Sequence, residues 1–320
     1  VYHHLLEAEK NIPVVQSANV KKDFDLDGRD EIKISTSSIA IYVKPSFGGA
    51  IAEIDFLSSS HNLSDVLMRR KEGYHNKVSI ATHQNDDVAT IHDSVKSKEI
   101  GLEKYLIEDT YHRFSLIDHF FGKEVSLQKF FSHKHKELGN FVENEYEAHT
   151  FDSEEKITIQ CKSEGKIVQK NKSIPLQVQK GISLVKRKEQ FEITYRITSE
   201  QKISAPVLFG CEWNLAMSAG EANDRYFLLN GKKPKDCLLN SRAEEKEISS
   251  FSLVDEWLNI KMEFQFETPA ISWRYPIETV SLSEDGFERV YQGTCLLFMW
   301  DVKKIFDWKT SFLVSLEKCS

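Results

Sequence analysis

Two-residue alternation of apolar and polar side chains, turn dipeptides between the alternating runs, and scarce helical periodicity predict an all-β chain. The predicted architecture is a sandwich or barrel with one short helical stretch at its start. In that stretch Val1, Leu5 and Ala8 recur at helical spacing, with Tyr2, Leu6 and Glu9 on the neighbouring face. Pro13 ends the pattern, because it has no backbone N–H to donate. Strand alternation follows. Ile39, Ile41 and Val43 alternate with Ala40 and Tyr42, and Phe191, Ile193, Tyr195 and Ile197 alternate with charged or hydroxyl residues. Leu258, Ile260, Met262, Phe264 and Phe266 form a third set, and Phe312, Val314 and Leu316 a fourth. Most of these sets turn one apolar face to a core and one polar face to water. Asp27-Gly28, Asn230-Gly231 and Asp285-Gly286 mark turns between runs. Gly48-Gly49 reads as a turn needing unusual φ, since no helix follows to cradle a phosphate. The charged stretch from Ser241 to Glu247 reads as a solvated loop.

With 320 residues, 40% of them hydrophobic, the chain can bury a sizeable core in one large β domain or two ordinary ones. The net charge is −7, which gives no general attraction to nucleic acid or anionic lipid. No apolar run approaches the roughly 20 residues of a membrane helix. The opening VYHHLLEAEK lacks the basic start and apolar centre of a signal peptide. It also lacks Met, which predicts a natural start elsewhere. Cys161, Cys211, Cys237, Cys295 and Cys319 are odd in number and form no CxxC pair, so a thiolate zinc site is disfavoured. Free, mostly buried thiols in a reducing, cytoplasmic setting are the preferred reading, with a single disulfide as the alternative.

The most chemically explicit segment is DFDLDGRDE, residues 23 to 31. Asp23, Asp25 and Asp27 alternate before Gly28, whose freedom lets the loop fold back so that the carboxylates converge. Hard cations such as Ca²⁺ take six to eight oxygens. The twelfth place of the loop, where an EF-hand carries Glu, is Ile34, so Glu31 at the ninth place is the further candidate. A structural Ca²⁺ held by Asp23, Asp25, Asp27 and Glu31 is expected. The alternative is an acidic turn without an ion.

An ordered set of motifs carries a family resemblance: DLDGRDEI, YVKPSFGGAIAEIDF and NLSDVLMRRKEGYH between Asp23 and His75, then IHDSVKSKEIGL at 91 to 102 and SEDGFERVYQG at 283 to 293. Together these resemble the C-terminal half of 4-α-glucanotransferases and related amylases of glycoside hydrolase family 57. The opening VYHHLLEAE is similar to the last helix of that family's helical domain. The resemblance implies a division into residues 1–12, the end of a preceding helical domain, and 13–320, a galactose-mutarotase-like supersandwich. It also implies an upstream catalytic barrel that carries the nucleophile and the acid/base. The motifs of those two residues do not occur here, so no residue is assigned a catalytic role. By resemblance, the parent reaction is retaining α-1,4-glucan transfer or hydrolysis.

Candidate sugar-contacting residues follow from their chemistry. Arg69 and Arg70, beside Tyr74 and His75, offer donors for sugar hydroxyls, in a groove or against the barrel. The equal alternative is structural pairing of the arginines with Glu53 or Asp55. Trp213, beside Glu212 and Asn214, and Trp273, beside Arg274 and Tyr275, are candidate stacking platforms, against a default of core burial. Trp300, among apolar neighbours, reads as core. Glu284, Glu288, Tyr291 and Gln292 gather hydrogen-bonding groups for saccharide contact or domain docking, or are a solvated hairpin. His92 with Glu288 would be the pair of a mutarotase-like enzyme, although a structural histidine is the more common outcome. His133 and His135 alternate on a possible strand without a third ligand nearby, which favours exposure over metal binding. The leading reading is an accessory domain that supports its own N-terminal catalytic barrel and holds α-glucan or maltooligosaccharide. The alternatives are a free-standing mutarotase-like sugar enzyme and a purely structural docking module.

Overall fold

The structure, a computed structural model, describes residues 2–9, 18–78, 98–201, 206–302 and 307–319. Helix α1 (Tyr2–Glu9) opens the chain, as the spacing predicts. The first sheet holds five antiparallel strands in sequence order: β1 (Ala18–Lys22), β2 (Glu31–Ser35), β3 (Ile39–Lys44), β4 (Ala50–Phe56) and β5 (His61–Asn62). The second holds eleven: β6 (Ile117–Phe121), β7 (Glu147–Asp152), β8 (Lys156–Gln169), β9 (Lys172–Val185), β10 (Gln190–Thr198), β11 (Val207–Leu215), β12 (Arg225–Leu229), β13 (Ala243–Asp255), β14 (Ile260–Ser283), β15 (Gly286–Val302) and β16 (Asp307–Glu317). Its order is β6-β11-β15-β14-β16-β10-β9-β8-β7, with β13 paired to β14 and β12 to β13. The tight turns fall where the dipeptides place them: Gly28, Gly48, Gly49, Asn230 and Gly231 all have positive φ.

Around β6, β11, β15 and the middle of β14 both faces of the large sheet are covered, whereas β7, β8, β10 and β16 keep one face partly open to water. Alternate residues of β3, β4, β10, β14 and β16, among them Ile41, Ile54, Ile193, Phe264 and Val314, meet in one buried cluster that joins the two sheets. On the other face Phe121, Trp273, Tyr275, Ile277, Leu297 and Met299 pack under a short helix, α2 (Leu127–Phe131). Five residues are too few for a helix to be stable alone. Here Leu127, Phe130 and Phe131 are buried, and the Ser126 hydroxyl accepts the Lys129 N–H. Between the sheets lies a buried ion pair. Lys180 Nζ stands 3.0 Å from Asp118 Oδ2, and the Tyr146 and Tyr195 hydroxyls donate to the same carboxylate at 2.6 Å each. Asp118 thus receives three donors, one from the ammonium and two from hydroxyls, and such added hydrogen bonding is the condition under which a buried ion pair is tolerated.

Several expectations need correction. Ser241 to Glu247 is not a loop throughout: β13 begins at Ala243, with Glu244 exposed and Glu245 half-buried on the paired strand and Lys246 and Glu247 exposed in a bulge. Leu258 lies in the turn before β14, which starts at Ile260. Trp213 is fully buried, with its ring 5.0 Å from that of Phe264, and Trp273 is buried beside Phe130. Neither is a surface platform, because strand periodicity turns both rings into packed faces. Trp300 is core, as read from its neighbours. All five cysteines are free. Burial pushes the Cys161 and Cys211 thiols up to about 12.

Replacement of Trp213 by Ala is expected to lower stability by about 3–5 kcal/mol, the usual cost of emptying a large buried aromatic site. The urea midpoint checks this, and an unchanged midpoint would contradict the core placement.

Candidate functional site

The two-residue period puts different chemistry on the two faces of β11. Cys211, Trp213 and Leu215 enter the core between the sheets, whereas Glu212 and Asn214 face the side covered by α2. In β6, Asp118 and Phe120 point one way and His119 and Phe121 the other. Arg113, just before β6, reaches into this second face. Its guanidinium lies 3.0 Å from Glu212 Oε1, 3.2 Å from the Tyr275 hydroxyl and 3.0 Å from Asp109 Oδ2. Tyr111 donates to Glu212 Oε2 at 2.7 Å, and His119 Nε2 is 2.9 Å from the same oxygen. Arg69 grips Asp109 through Nε and Nη2 at 2.9 and 2.6 Å, while its backbone N–H donates to Asp109 Oδ2.

Electrostatics keep these carboxylates charged. Burial pushes the Glu212 carboxyl up, but hydrogen bonding from His119 and the Arg113 charge outweigh it and hold it well below the carboxylate range. Burial likewise opposes ionisation of Asp109. The Arg113 charge and a hydrogen bond from His133 override it, and that carboxyl is also strongly lowered. Asp109 therefore contributes stability above its unfolded pKa of about 3.9, and this is lost as pH falls below that value toward the folded one.

The structure disperses the sequence candidates. Arg69 is buried on Asp109, not on Glu53 or Asp55, so it lines no groove but anchors the segment that carries exposed Arg70. Arg70, Lys71, His75, Asn76, Leu106, Ile107 and Glu108 enclose an open cleft of about 320 Å³. His75 is tied down at its margin: Nδ1 accepts the Glu72 N–H at 3.1 Å and Nε2 is 2.9 Å from the Val280 carbonyl oxygen. Tyr74 packs edge-on to His75 and against Phe287. Glu288 pairs with Lys98 at 2.7 Å near this cluster. Tyr291 bonds Thr294 and packs on the core, away from the cleft. His92 lies outside the described residues. His133 and His135 are not exposed, with side chains 3% and 8% accessible, because the chain bends back after α2 at His133, where φ is 52°. Trp257, in the β13–β14 turn, is 74% exposed, with Arg225 beside its ring.

In the acidic loop, one oxygen each from Asp23, Asp25 and Asp27 lies within 4.8 Å of the others. The Lys44 ammonium joins them, hydrogen-bonded to Asp25, 2.7 Å from Asp27 Oδ2 and 3.0 Å from Glu31 Oε1. Backbone N–H groups of Asp27 and Gly28 donate to Asp23, shaping the loop.

A family model described as "Alpha-amylase/4-alpha-glucanotransferase, C-terminal" matches residues 23–312. The chain belongs to this family. Alpha-amylase 1 of Dictyoglomus thermophilum is 32% identical over 311 residues, 94% of this chain and 42% of that protein. A 4-alpha-glucanotransferase of Thermococcus kodakarensis is 28% identical over 305 residues, 95% of this chain and 41% of its own length. The crystal structure of 4-alpha-glucanotransferase from Thermococcus litoralis superposes with a TM-score of 0.75 at 25% identity, covering all of this chain and 42% of that one. This chain thus spans about two fifths of the length of these relatives. A galactose mutarotase-like protein from Clostridium acetobutylicum, at TM-score 0.54 and 8% identity, shares the fold, which is the supersandwich the resemblance implies.

This chain's fold thus encloses a charged centre of Arg113, Asp109 and Glu212 that the spacing of single residues did not reveal. The signal was present in two runs. In Cys211-Glu212-Trp213-Asn214 polar residues alternate with apolar ones, and in Ile117-Asp118-His119-Phe120 an adjacent polar pair interrupts an apolar run, both in contexts too apolar to be surface. The partners Asp109 and Arg113 come from a loop without strand periodicity, and pairing across about a hundred residues leaves no local trace. Arg113→Ala strands two buried carboxylates and is expected to cost about 3–5 kcal/mol. Arg196→Ala, which breaks only an exposed pair with Asp307, should stay within about 1 kcal/mol. Paired urea melts compare the two, and equal losses would refute the role given to Arg113.

Proposed function

We propose that this C-terminal sandwich serves an α-1,4-glucan-acting enzyme as an accessory domain, supporting an upstream catalytic barrel and contacting glucan at the Arg70 cleft. The observation that carries this reading is the family match over residues 23–312, within relatives more than twice as long. Retaining cleavage needs two carboxyls about 5 Å apart, one ionised and one protonated. Asp109 and Glu212 are both held ionised and closed from solvent, so this pair offers no acid. The parent reaction on this reading is double displacement, with both catalytic carboxyls in the barrel. The cleft suits a sugar because a guanidinium, an amide and a carboxylate converge there beside two apolar side chains.

The chain alone should not disproportionate maltooligosaccharides, and measurable transfer by it would overturn the reading. Calorimetric titration with maltoheptaose should give weak saturable heat that disappears in Arg70→Ala and persists in Trp257→Ala. Heat lost only in Trp257→Ala would move the contact to the β13–β14 turn, and no heat would leave a docking role alone.

We also propose that the acidic loop takes Ca²⁺ as a structural ion, through Asp23, Asp25, Asp27 and Glu31. Three carboxylates meet the one ammonium and Asp23 stands beside Asp25 and Asp27, and this surplus of negative charge favours a hard cation. After chelation, added Ca²⁺ should raise the melting temperature, by the equivalent of about 2.7 kcal/mol when it stands at a hundred times its Kd. Asp25→Asn should abolish the rise, and an unchanged melt in the parent chain would refute the site.

A further inference from the structure

A second group of ligand-type side chains lies on the α2 face of the large sheet. One donor atom each from His119, His135 and Glu137 falls within 4.8 Å of the other two. His119 Nδ1 is 2.9 Å from Glu137 Oε2, and His135 Nε2 is 4.0 Å from that same oxygen. We propose that His119, His135 and Glu137 bind a divalent transition metal, zinc by preference, that fastens the segment following α2 to strand β6.

Four observations support it. First, two imidazoles and one carboxylate form a ligand set that zinc accepts, with a water completing the tetrahedron. Second, the ring nitrogen of His119 opposite the candidate donor is 2.9 Å from Glu212 Oε2. A carboxylate behind a ligating histidine fixes its tautomer and orientation. Glu212 is itself immobilised by Tyr111 and Arg113, so this support is rigid. Third, the two oxygens of Glu137 divide their duties. Oε1 accepts the backbone N–H groups of Phe120 and Gly139 at 2.7 and 3.2 Å, and Oε2 faces the histidines. A carboxylate pinned through one oxygen presents the other for single-point coordination. Fourth, the His135 side chain is only 8% accessible, and its Nδ1 has no hydrogen-bond partner among the described residues. Nε2, 4.0 Å from Glu137 Oε2, is the nitrogen placed to coordinate, and among the described residues this enclosed ring makes no hydrogen bond that would compete for it.

The nearby His133 is excluded from the set, since its Nε2 is taken by Asp109 at 3.1 Å and Arg113 at 2.7 Å. Zinc would replace the Nδ1 proton between His119 and Glu137 and draw the His135 ring inward, since Zn–N bonds are about 2.0–2.1 Å. Entry is by way of Glu137, whose side chain is 23% accessible.

The test uses the 320-residue chain after chelation and dialysis. Calorimetric titration with zinc chloride should show one tight equivalent, and Co²⁺ should give the visible bands of a tetrahedral nitrogen–oxygen site. Glu137→Gln and His135→Ala should each weaken zinc binding more than about 100-fold, beyond the usual loss of a supporting residue. His149→Ala, at an exposed histidine remote from the site, should leave it unchanged. Binding that survives both ligand substitutions, or is lost in His149→Ala, would identify surface histidines as the ligands and overturn the proposal. Absence of visible Co²⁺ absorption by the unaltered chain would overturn it without recourse to any variant.

Discussion

The guanidinium of Arg113 is the constraint around which the rest of this sandwich is arranged. It has no access to water, so every donor must find an acceptor within the fold. Those acceptors come from three parts of the chain: Asp109 from its own loop, Glu212 and Asn214 from β11, and Tyr275 from β14. Asp109 in turn carries Arg69, which brings the loop after β5 onto the same centre. Elements separated by about a hundred and sixty residues are thus held in register by one planar cation. Lys could not substitute for it, because an ammonium lacks the fork that reaches several acceptors at once.

The large sheet solves a problem that a half-solvated sheet does not meet. Where both faces are covered, its strands place polar residues out of reach of water, and Asp118, His119 and Glu212 there belong to closed hydrogen-bonded networks. Asp118 and His119 are adjacent in sequence and serve opposite faces. One joins Lys180, Tyr146 and Tyr195 between the sheets, and the other joins Glu212 and Glu137 under α2. The two networks lie back to back through one strand, so a change in the position of β6 is felt by both.

The sheet architecture was legible because burial imposes a period on the sequence. Phe191–Ile197 and Phe312–Leu316 alternate and form β10 and β16, and Ile39–Val43, apolar throughout and nearly all buried, forms β3. The tryptophans were harder to place. A ring such as Trp213, flanked by Glu212 and Asn214, reads as amphipathic when those neighbours are taken to share its surroundings, whereas strand geometry sends them to the opposite face. The same flaw hid His135, which lies in the coil after α2 and whose companion His119 arrives from β6. Local spacing reports which side chains share a face within one element. It carries no record of which faces from remote elements are laid together, and the charged centre consists of such encounters.

Strand β14 runs for 24 residues and changes partner along its length. Lys261–Phe266 pairs with β16, and Ile271–Ser283 pairs with β15. Loss or gain of a single residue between these parts would invert every side chain beyond it, sending Trp273, Tyr275 and Ile277 to the wrong side. Evolution can therefore adjust the composition of this strand but not its length. The freedom to lengthen lies at its far end, where Glu284 and Asp285 cap an exposed hairpin tip closed by Gly286. An epitope or fluorescent reporter spliced between those two acids would ride on the domain without disturbing its register.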